Sequence, residues 1–517
     1  RTVANLPSMA TQKKQKREEA EQNDAATAIP EVFRRTLRFA VSAVATRLFP
    51  ERLLCGGQTV GEAYFYSFNG ADVAQADVDA LSAALDALVS ANTPIESKEL
   101  DYASALSIFA GGVALRQSHA LLRSRVQESV TVDQMGDIVR LSFGPLLPSS
   151  GALASPLLRL KKLNAGFVVA YGSREPSVTL LASAVDHRKF GESLGVRCIG
   201  DLNAKRAVER EQLDFILNSE FRQEAKLAAL ASSIDARSVD PERRVGVICV
   251  AGPTSSGKTT FATKLSMYLR NLGHQAVPLT VDHYYLPLDR QPRYKIRQQR
   301  SDVDYDSIES MDAKLVNEHI NALINGEEVL SPVYNMKTGF RDGPGRPFKL
   351  PAGGSSILII EGIHALNPVY TSAVPPGRVF KVYISPLTSL QVDEANSVKT
   401  TDHRLLRRMS RDYLFRGHSA SRTLSMWANV RKGEDKWIFP HQDGVDCVIN
   451  SAMEYELGVL KTLVEPLLMS VPPDDLQYAK ARQLLKTLAL FSSISPALVP
   501  GTSLLREFIG DGSFDCH

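Results

Sequence analysis

Cysteine is scarce in this chain, which has five cysteines among its 517 residues. They stand far apart, at Cys55, Cys198, Cys249, Cys447 and Cys516, and form no Cys-x-x-Cys pair. This spacing excludes a disulfide framework and a zinc site built on paired cysteines. It fits a reducing compartment, so we expect a cytoplasmic protein.

Long apolar runs and a surplus of one charge are also lacking. No stretch of about 18 consecutive apolar residues occurs, so no membrane-spanning helix or membrane partner is predicted. The formal net charge is +3, which gives no indication of a nucleic-acid coat or a membrane-surface protein. With 44% hydrophobic and 23% charged residues, the composition is that of a soluble globular protein. The length allows two or three domains.

Changes in the apolar pattern divide the chain into five predicted segments. Residues 1–30 carry a basic cluster that runs into acidic residues, and we expect a disordered tail or the remnant of a longer N-terminus. Residues 31–202 alternate helix-like and strand-like patterns. Residues 203–240 are predicted to be a helical connector and a polar linker. Residues 241–452 form the next predicted domain, and residues 453–517 a C-terminal helical extension interrupted at Pro472 and Pro473.

The segment 241–452 has the pattern of an α/β domain. Its short apolar runs are rich in β-branched residues, as expected for strands buried on both faces; they lie at residues 245–251, 276–281, 357–360, 379–384 and 445–449. Helix-like stretches separate them, which favours a parallel sheet flanked by helices. The predicted fold class is therefore α/β, with an α+β domain in front.

The strongest motif lies between the first of these runs and the helix-like stretch that follows. It fits G-x-x-x-x-G-K-[ST], the phosphate-binding loop (P-loop), whose backbone N–H groups cradle phosphates. Its predicted nucleotide-binding residues are Gly252, Pro253, Thr254, Ser255, Ser256, Gly257, Lys258, Thr259 and Thr260. We expect Lys258 to reach the β- and γ-phosphates and the hydroxyl of Thr259 to hold Mg²⁺. A chance match by a glycine- and serine-rich turn is the alternative.

Two carboxylates follow apolar runs in the same domain. Glu361 comes after residues 357–360, where a P-loop protein places a second ligand of the metal or of water. Asp282 ends the run after the P-loop helix and is suited to accept the proton of an attacking hydroxyl, as a catalytic base. The alternatives are an ordinary acid at a strand end and a helix or turn cap.

Four arginines share one face of a predicted helix. Arg404, Arg407, Arg408 and Arg411 have i, i+3, i+4, i+7 spacing. A face made only of arginine favours a phosphate clamp, because planar bidentate donors suit phosphate and stabilise the charge that develops during transfer. A surface stripe or a nucleic-acid-facing stripe is the alternative.

In this order, the motifs of residues 244–450 resemble the uridine kinase and phosphoribulokinase family. Asp306-Ser-Ile-Glu-Ser-Met-Asp312 and Pro332-Val-Tyr-Asn335 are similar to two further segments of that family. The resemblance implies an ATP- and Mg²⁺-dependent kinase, with pyrimidine salvage as its context and a nucleoside as acceptor. It also implies roles for individual residues: Asp282 as base, Asp306 and Arg404 on the sugar, Tyr334 in the nucleoside pocket, and Arg407 and Arg411 in a catalytic lid facing the phosphate.

One position departs from the pattern of the family. Members that bind uracil or cytosine have a histidine five residues after the pocket tyrosine, and here that position is Gly339. Kinases of another sugar or of a sugar phosphate therefore stay open as alternatives, as does an ATP-switched, RNA-associated regulatory protein. The segments Arg416-Gly-His-Ser419, Lys436-Trp-Ile-Phe-Pro440 and 505–510 are similar to a longer uridine-kinase-like subfamily, in which a region related to threonyl-tRNA synthetase precedes the kinase domain.

Residues 33–200 resemble the second additional, or editing, domain of threonyl-tRNA synthetase. The editing residues of that family are histidines and a cysteine, and the matching positions here are Arg35, Phe39, Ser142 and Leu146. Without those side chains we expect no editing and no metal, and instead a structural, dimerising or ligand-sensing role. His187, beside Arg188 and Lys189, is expected on the surface. The predicted partner is a small hydroxyl-bearing acceptor; nucleic acid stays open only for this half, and so does a homo-oligomer.

Overall fold

The computed structural model describes residues 30–69, 72–125, 127–206, 208–291, 305–351 and 355–515. The chain forms two compact units, one from Arg1–Pro176 with Gln391–Ser397 and one from Ser177–Leu390 with Val398–His517. This division differs from the one expected from sequence, which ended the first domain at residue 202. The predicted tail, apart from Pro30, lies outside the described residues. In the described part of the chain, no helix is long and apolar enough to cross a membrane.

The first unit is an α+β assembly with antiparallel sheets. Its helices are α1 (Glu31–Leu48), α2 (Gln75–Ala91), α3 (Tyr102–Phe109) and α4 (Arg116–Arg123). Its strands are β1 (Leu54–Val60), β2 (Ala63–Phe68), β3 (Ile95–Asp101), β4 (Ser129–Met135), β5 (Ile138–Leu141), β6 (Arg159–Leu163) and β7 (Gly166–Ala170). Within the described residues they pair in the orders β1-β2-β7-β6 and β3-β4-β5. Apolar side chains of α1, α2 and the four-stranded sheet form a common core.

The short segment Gln391–Ser397 belongs to this first unit although it follows by more than two hundred positions. The buried carboxylate of Glu394 accepts hydrogen bonds from the backbone of Gln117 (2.7 Å) and Ser118 (3.0 Å), at the N-terminus of α4. These are N–H groups that a helix cannot satisfy internally, so the carboxylate caps α4. Asp393 is also buried, and burial together with the charge of Glu394 raises its pKa to about 7.

Three positions that the predicted resemblance matches to editing residues line one small cavity of the first unit. Arg35, Phe39 and Leu146 share it with Asp133 and Arg140, among other side chains, and none of its described lining residues is histidine or cysteine. Ser142, the fourth position, contacts Asp133. Positions more than a hundred residues apart in sequence therefore meet in space. The charged side chains that line this cavity are two arginines and one aspartate, in place of the histidines and cysteine of an editing site.

The second unit begins with the helices α5 (Val178–Ser193), α6 (Ile199–Lys205) and α7 (Glu209–Ser238). Helix α7 covers most of the segment predicted to be a helical connector and extends into the part predicted to be a linker. His187 was predicted to be on the surface, and this is wrong: the side chain is buried and its Nε2 lies 3.0 Å from Oε1 of Glu454. Arg188 and Lys189 suggested an exposed position, but His187 is buried because it pairs with the buried carboxylate of Glu454.

A parallel sheet forms the centre of the second unit and confirms the predicted α/β pattern. Its described strands are β8 (Val247–Ala251), β9 (Gln275–Thr280), β14 (Ser356–Glu361), β15 (Val379–Ser385) and β16 (Cys447–Asn450). They pair in the order β16-β15-β8-β14-β9, and every pairing is parallel. Strands β8 and β14, at the centre, are buried almost throughout because helices cover both faces.

The remaining elements surround this sheet. Helix α8 (Lys258–Asn271) follows β8, and α9 (Ala313–Ile324) precedes four short strands: β10 (Val329–Ser331), β11 (Tyr334–Asn335), β12 (Phe340–Arg341) and β13 (Arg346–Phe348). Helix α10 (Thr400–Arg416) carries the arginine face and is followed by α11 (Ala420–Gly433). The predicted C-terminal helices are α12 (Glu456–Met469) and α13 (Tyr478–Leu488), with the short α14 (Arg506–Ile509) at the end.

Candidate active site

The P-loop connects the end of β8 to the first residue of α8, as the sequence predicted. Gly252 lies so close to the neighbouring strand that a Cβ atom there would be 1.9 Å from the carbonyl oxygen of Ile384. Gly257 has a φ of 86° and directly precedes the helix, a conformation that favours glycine. Both glycines are therefore required by the path of the loop.

The carbonyl groups of the P-loop are held from outside by side chains of the same unit. Nε of Arg404 donates to the carbonyl of Thr254 (3.0 Å), a nitrogen of Arg407 to that of Ser255 (3.4 Å), and the hydroxyl of Ser451 to that of Ser256 (2.7 Å). With its acceptors engaged, the loop can turn its N–H groups toward a ligand. The hydroxyls of Ser255 and Ser256 are buried, and in the described part of the chain they have no hydrogen-bond partner. These are groups that phosphate oxygens would satisfy.

Lys258, Thr259 and Glu361 lie together at the C-terminal ends of β8 and β14. The hydroxyl of Thr259 is 3.3 Å from Oε1 of Glu361, and Nζ of Lys258 is 3.3 Å from the carbonyl of Pro253. Burial lowers the pKa of Lys258, an effect that the charges of Glu361 and Asp282 oppose. Burial and then the charge of Asp282 raise the pKa of Glu361 to about 7. Two carboxylates thus share one largely enclosed space with a single ammonium group.

Asp282 belongs to a short 3-10 helix, Val281–Tyr284, that directly follows β9. Its side chain is half-buried. A Cβ atom on Gly362 would lie 3.6 Å from Oδ1 of Asp282, so the glycine after Glu361 leaves space for this carboxylate. Since β9, β14 and β8 are adjacent parallel strands, Asp282, Glu361 and the P-loop lie at the same edge of the sheet.

Aromatic and acidic side chains lie near Asp282. The rings of Tyr285 and Tyr334 are 5.3 Å apart, and the charges of Asp282 and Asp306 both act on Tyr285. The side-chain amide nitrogen of Gln291 is 3.4 Å from the hydroxyl of Tyr334. Gly433 makes room for Asp306, because a Cβ atom there would lie 2.4 Å from the Cβ of Asp306. The structure therefore brings the predicted acceptor residues Asp306 and Tyr334 near the predicted base.

The predicted substrate and catalytic arginines of α10 are buried, which rules out a solvated surface stripe. The guanidinium of Arg404 pairs with both oxygens of Glu434 and lies 5.4 Å from the ring of Trp427. Arg407 pairs with both oxygens of Glu456, each at 2.6 Å. Because each of these two arginines contacts a P-loop carbonyl and a carboxylate, their observed contacts support the loop. The predicted contacts with sugar and phosphate remain predictions.

Farther along α10, three arginines surround one buried carboxylate. Asp412 lies within 3.3 Å of Arg408, Arg411 and Arg416, and their charges, led by that of Arg411, lower the pKa of Asp412. The charge of Arg411, together with burial, lowers the pKa of Arg416 to about 10. One carboxylate cannot neutralise three guanidinium groups, so this end of α10 keeps a positive surplus. Asp282 and Lys258 both interact with its charges.

Two polar groups that sequence reasoning did not assign lie beside these residues. The ring of His364 is buried and interacts with the backbone of Asp306. Burial lowers its pKa to about 4, so it is neutral near pH 7. The hydroxyl of Tyr370 is also buried and has no hydrogen-bond partner among the described residues. The charge of Asp282 helps to raise the pKa of this hydroxyl, after burial. His364 was visible in the motif after Glu361, but its burial was not.

Gly339 occupies a conformation that a histidine would adopt only with strain. Its φ is 83°, its N–H donates to the carbonyl of Asn335 (2.8 Å), and its carbonyl accepts from Leu288 N–H (2.9 Å). A Cβ atom would lie 3.3 Å from Cβ of Leu288. The turn between β11 and β12 thus favours glycine for reasons of backbone geometry.

No group of three or more histidine, cysteine, aspartate or glutamate side chains is arranged to hold a metal ion in the described chain. Mg²⁺ does not require such a cage, since it usually keeps several waters and takes one or two protein oxygens. The hydroxyl of Thr259 and the carboxylate of Glu361 are oxygen donors of that kind.

Comparisons with known proteins agree with this geometry. The model of the phosphoribulokinase/uridine kinase family matches residues 247–457. A uridine kinase of Staphylococcus aureus is 26% identical over 226 residues, 43% of this chain and 96% of the relative. A uridine kinase of Halobacterium salinarum is 24% identical over 203 residues, 39% of this chain and 78% of the relative.

Among solved structures, a D-glycerate 3-kinase from Cryptococcus neoformans is 14% identical. The alignment covers 55% of this chain and 88% of that protein, with a TM-score of 0.24, too low to support an inference. The likeness of the first unit to a synthetase editing domain remains a prediction, since the family match begins at residue 247. The C-terminal half therefore contains a domain of the phosphoribulokinase/uridine kinase family, and the protein is a kinase.

Proposed function

We propose that the protein transfers the γ-phosphoryl group of ATP to a hydroxyl of a nucleoside, with the 5′-hydroxyl of uridine or cytidine as acceptor. The main support is the convergence of Lys258, Asp282 and Glu361 at one edge of the parallel sheet. Tyr334 and Asp306 lie near Tyr285, whose pKa the charge of Asp282 also affects, and there they would contact the acceptor.

The residues present fit Mg²⁺-ATP. The P-loop from Gly252 to Thr260 would hold the phosphates, with the hydroxyls of Ser255 and Ser256, which have no partner among the described residues, as additional donors. Thr259 and Glu361 would hold Mg²⁺, which when bound supplies charge neutralisation between phosphates. A cation there would also relieve the crowding of negative charge that raises the pKa of Glu361.

The chain's own groups account for the remaining chemistry. Asp282 accepts the proton of the acceptor hydroxyl as that oxygen attacks phosphorus. Lys258 and the positive end of α10, with Arg411, offset the charge that develops on the transferred group. Asp306 accepts hydrogen bonds from sugar hydroxyls, while the Tyr285–Tyr334 pair offers a flat apolar surface for a base. Burial keeps water away from much of this space.

A sugar or sugar phosphate is the second candidate acceptor. Gly339 offers no side chain to read a base, and Arg408, Arg411 and Arg416 keep a positive surplus that a phosphorylated acceptor would also satisfy. Among the described residues, we find no comparable contact that favours an ATP-switched, RNA-associated regulatory protein.

The test is ADP release from ATP in the presence of single acceptors. Four nucleosides, ribose, ribulose 5-phosphate and glycerate should be compared at equal concentration, with Lys258→Ala as the control for P-loop catalysis. We expect uridine or cytidine to give the highest kcat/KM and the variant to lose nearly all turnover. Faster turnover of a sugar phosphate than of any nucleoside would overturn the nucleoside assignment, and a fully active, folded Lys258→Ala variant would overturn the mechanism.

A further inference from the structure

The end of the chain contacts the nucleotide-binding loop, although it lies beyond the residues that match the kinase family. Oε2 of Glu507, in α14, accepts hydrogen bonds from the backbone N–H (3.2 Å) and the hydroxyl (2.8 Å) of Thr260. A Cβ atom on Gly257 would lie 2.2 Å from Cδ2 of Leu504, so this leucine packs directly on the loop. The ring of Phe508 is 4.9 Å from the guanidinium of Arg407.

The N–H group of Thr260 is one of those that a P-loop offers to phosphate. The first intrahelical bond of α8 runs from Phe261 N–H to the carbonyl of Gly257 (3.1 Å). The N–H groups of Lys258, Thr259 and Thr260 precede it and have no acceptor inside the helix. Backbone groups in this position cradle the α- and β-phosphates of a bound nucleotide. Glu507 places a carboxylate oxygen on one of them.

Glu507 also acts on the charged groups of the active site. Its charge favours the protonated form of Lys258 and helps to raise the pKa of Glu361. The side chain is 8% exposed, so solvent screens this charge only weakly. The carboxylate of Glu507 would therefore repel the phosphates of a nucleotide that enters the loop.

We infer that Glu507 sets the nucleotide affinity of this kinase by holding, in the ligand-free protein, a P-loop donor that a phosphate oxygen takes when nucleotide binds. Binding displaces the carboxylate and costs the Glu507–Thr260 contacts. The inference depends on nucleotide binding at the P-loop and is independent of which acceptor is phosphorylated. A carboxylate that only caps α8, and stays in place with nucleotide bound, is the competing explanation.

Calorimetric titration of the full chain with ADP distinguishes the two explanations. Glu507→Gln keeps an oxygen for the Thr260 hydroxyl and removes the negative charge. Since a negative charge at the helix N-terminus competes with the charge of a phosphate there, we expect ADP to bind about tenfold more tightly to this variant. Adenosine, which has no phosphate, should bind both proteins equally. The matched control is Asp511→Asn, which removes an exposed carboxylate four residues away and should leave both affinities unchanged.

The opposite results overturn the inference. If Glu507→Gln binds ADP as the parent does, or more weakly, the carboxylate is a cap and not a competitor. Failure of the parent chain to bind ADP at all would instead count against the proposed function. Hydrogen exchange on the unmodified protein gives a second measurement that does not depend on a variant folding. Saturating ADP should speed exchange in residues 500–510, whereas slower or unchanged exchange there contradicts displacement.

Discussion

Arg407 and Glu456 form a two-pronged ion pair that solvent does not reach. Nε and a terminal nitrogen of the arginine each lie 2.6 Å from a different carboxylate oxygen, and both side chains are fully buried. The same guanidinium donates to the carbonyls of Ser255 and Ser451. The pair therefore connects the P-loop to the start of α12, a structural role that predicts specific mutational effects.

Arg407→Met should reduce the free energy of unfolding by about 3–5 kcal/mol, because it leaves the buried carboxylate of Glu456 without its two-pronged arginine partner. Urea unfolding measures this change. Adding Glu456→Leu should restore part of the loss, since an apolar pair avoids the unpaired charge.

The control for this prediction is Arg411→Met. Asp412 would retain Arg408 and Arg416, so the loss of stability should be smaller. A fully stable Arg407→Met variant with greatly reduced kcat would contradict the supporting role and favour direct contact with phosphate.

Glu456 should make stability fall at acid pH. Its folded-state pKa is lowered to about 2 from an ordinary value of 4.5, with Arg407 as the main favourable cause against burial. The stabilisation is thus fully present above pH 4.5 and is lost as pH falls toward 2. Glu456→Gln should be less stable at pH 7 but should show a shallower decline of unfolding free energy below pH 4.5.

The matched control for the pH experiment is Glu465→Gln, a partly exposed position on the same helix. It should keep the acid decline of the parent. His403, which contacts Glu456, has a pKa lowered by burial and contributes its own decline below about pH 6.5. The slope below pH 4.5 is therefore compared between parent and variant, and an unchanged slope in Glu456→Gln would contradict the prediction.

Asp282→Asn should mainly lower kcat, whereas Asp306→Asn should mainly raise the KM for the acceptor. Losing a general base typically costs roughly 10²- to 10⁴-fold in kcat, and the affinity for ATP should hardly change. Asp306→Asn replaces one hydrogen-bond acceptor by a donor and should mainly raise the KM for the acceptor. Steady-state kinetics with both substrates varied gives the two parameters. The assignment of roles would be reversed if Asp306→Asn fell mainly in kcat.

The 517-residue chain should neither deacylate seryl-tRNA nor contain stoichiometric zinc. The cavity lined by Arg35, Phe39 and Leu146 has no histidine or cysteine among its described residues, so it lacks the imidazole and thiolate groups on which editing depends in the domain it was predicted to resemble. Metal analysis and a deacylation assay with a parent synthetase as positive control measure both. Zinc at one equivalent would mean that other residues have replaced the lost ones.

Local patterns were sufficient to predict much of the catalytic domain. The buried strands β8, β14 and β15 are short runs rich in β-branched residues, and the start of α8 at Lys258 follows from the glycine that precedes it. These features depend on residues within a few positions of each other, which is the range that a single sequence reports well.

Long-range partners were not predictable. The arginine spacing on α10 indicated one shared face, but the carboxylates that meet it, Glu434 and Glu456, lie 30 and 49 residues beyond Arg404 and Arg407. His187 was misjudged for the same reason, because Glu454 is far from it in sequence. The sequence also did not reveal the positive φ of Gly339. It therefore could not show that the backbone of this turn favours glycine over histidine.

The placement of Gln391–Ser397 within the first unit has a consequence for synthesis on the ribosome. Glu394 supplies the acceptor for two backbone N–H groups at the start of α4, and Asn396 accepts a hydrogen bond from Arg38 of α1. The N-terminal unit cannot make these bonds until translation has passed residue 397, after the P-loop and most of the parallel sheet have been made. A protein cut after residue 200 would leave those donors without their acceptors. The two units are thus encoded as interleaved pieces, and the first to be translated is completed only after residues 177–390 of the second have been made.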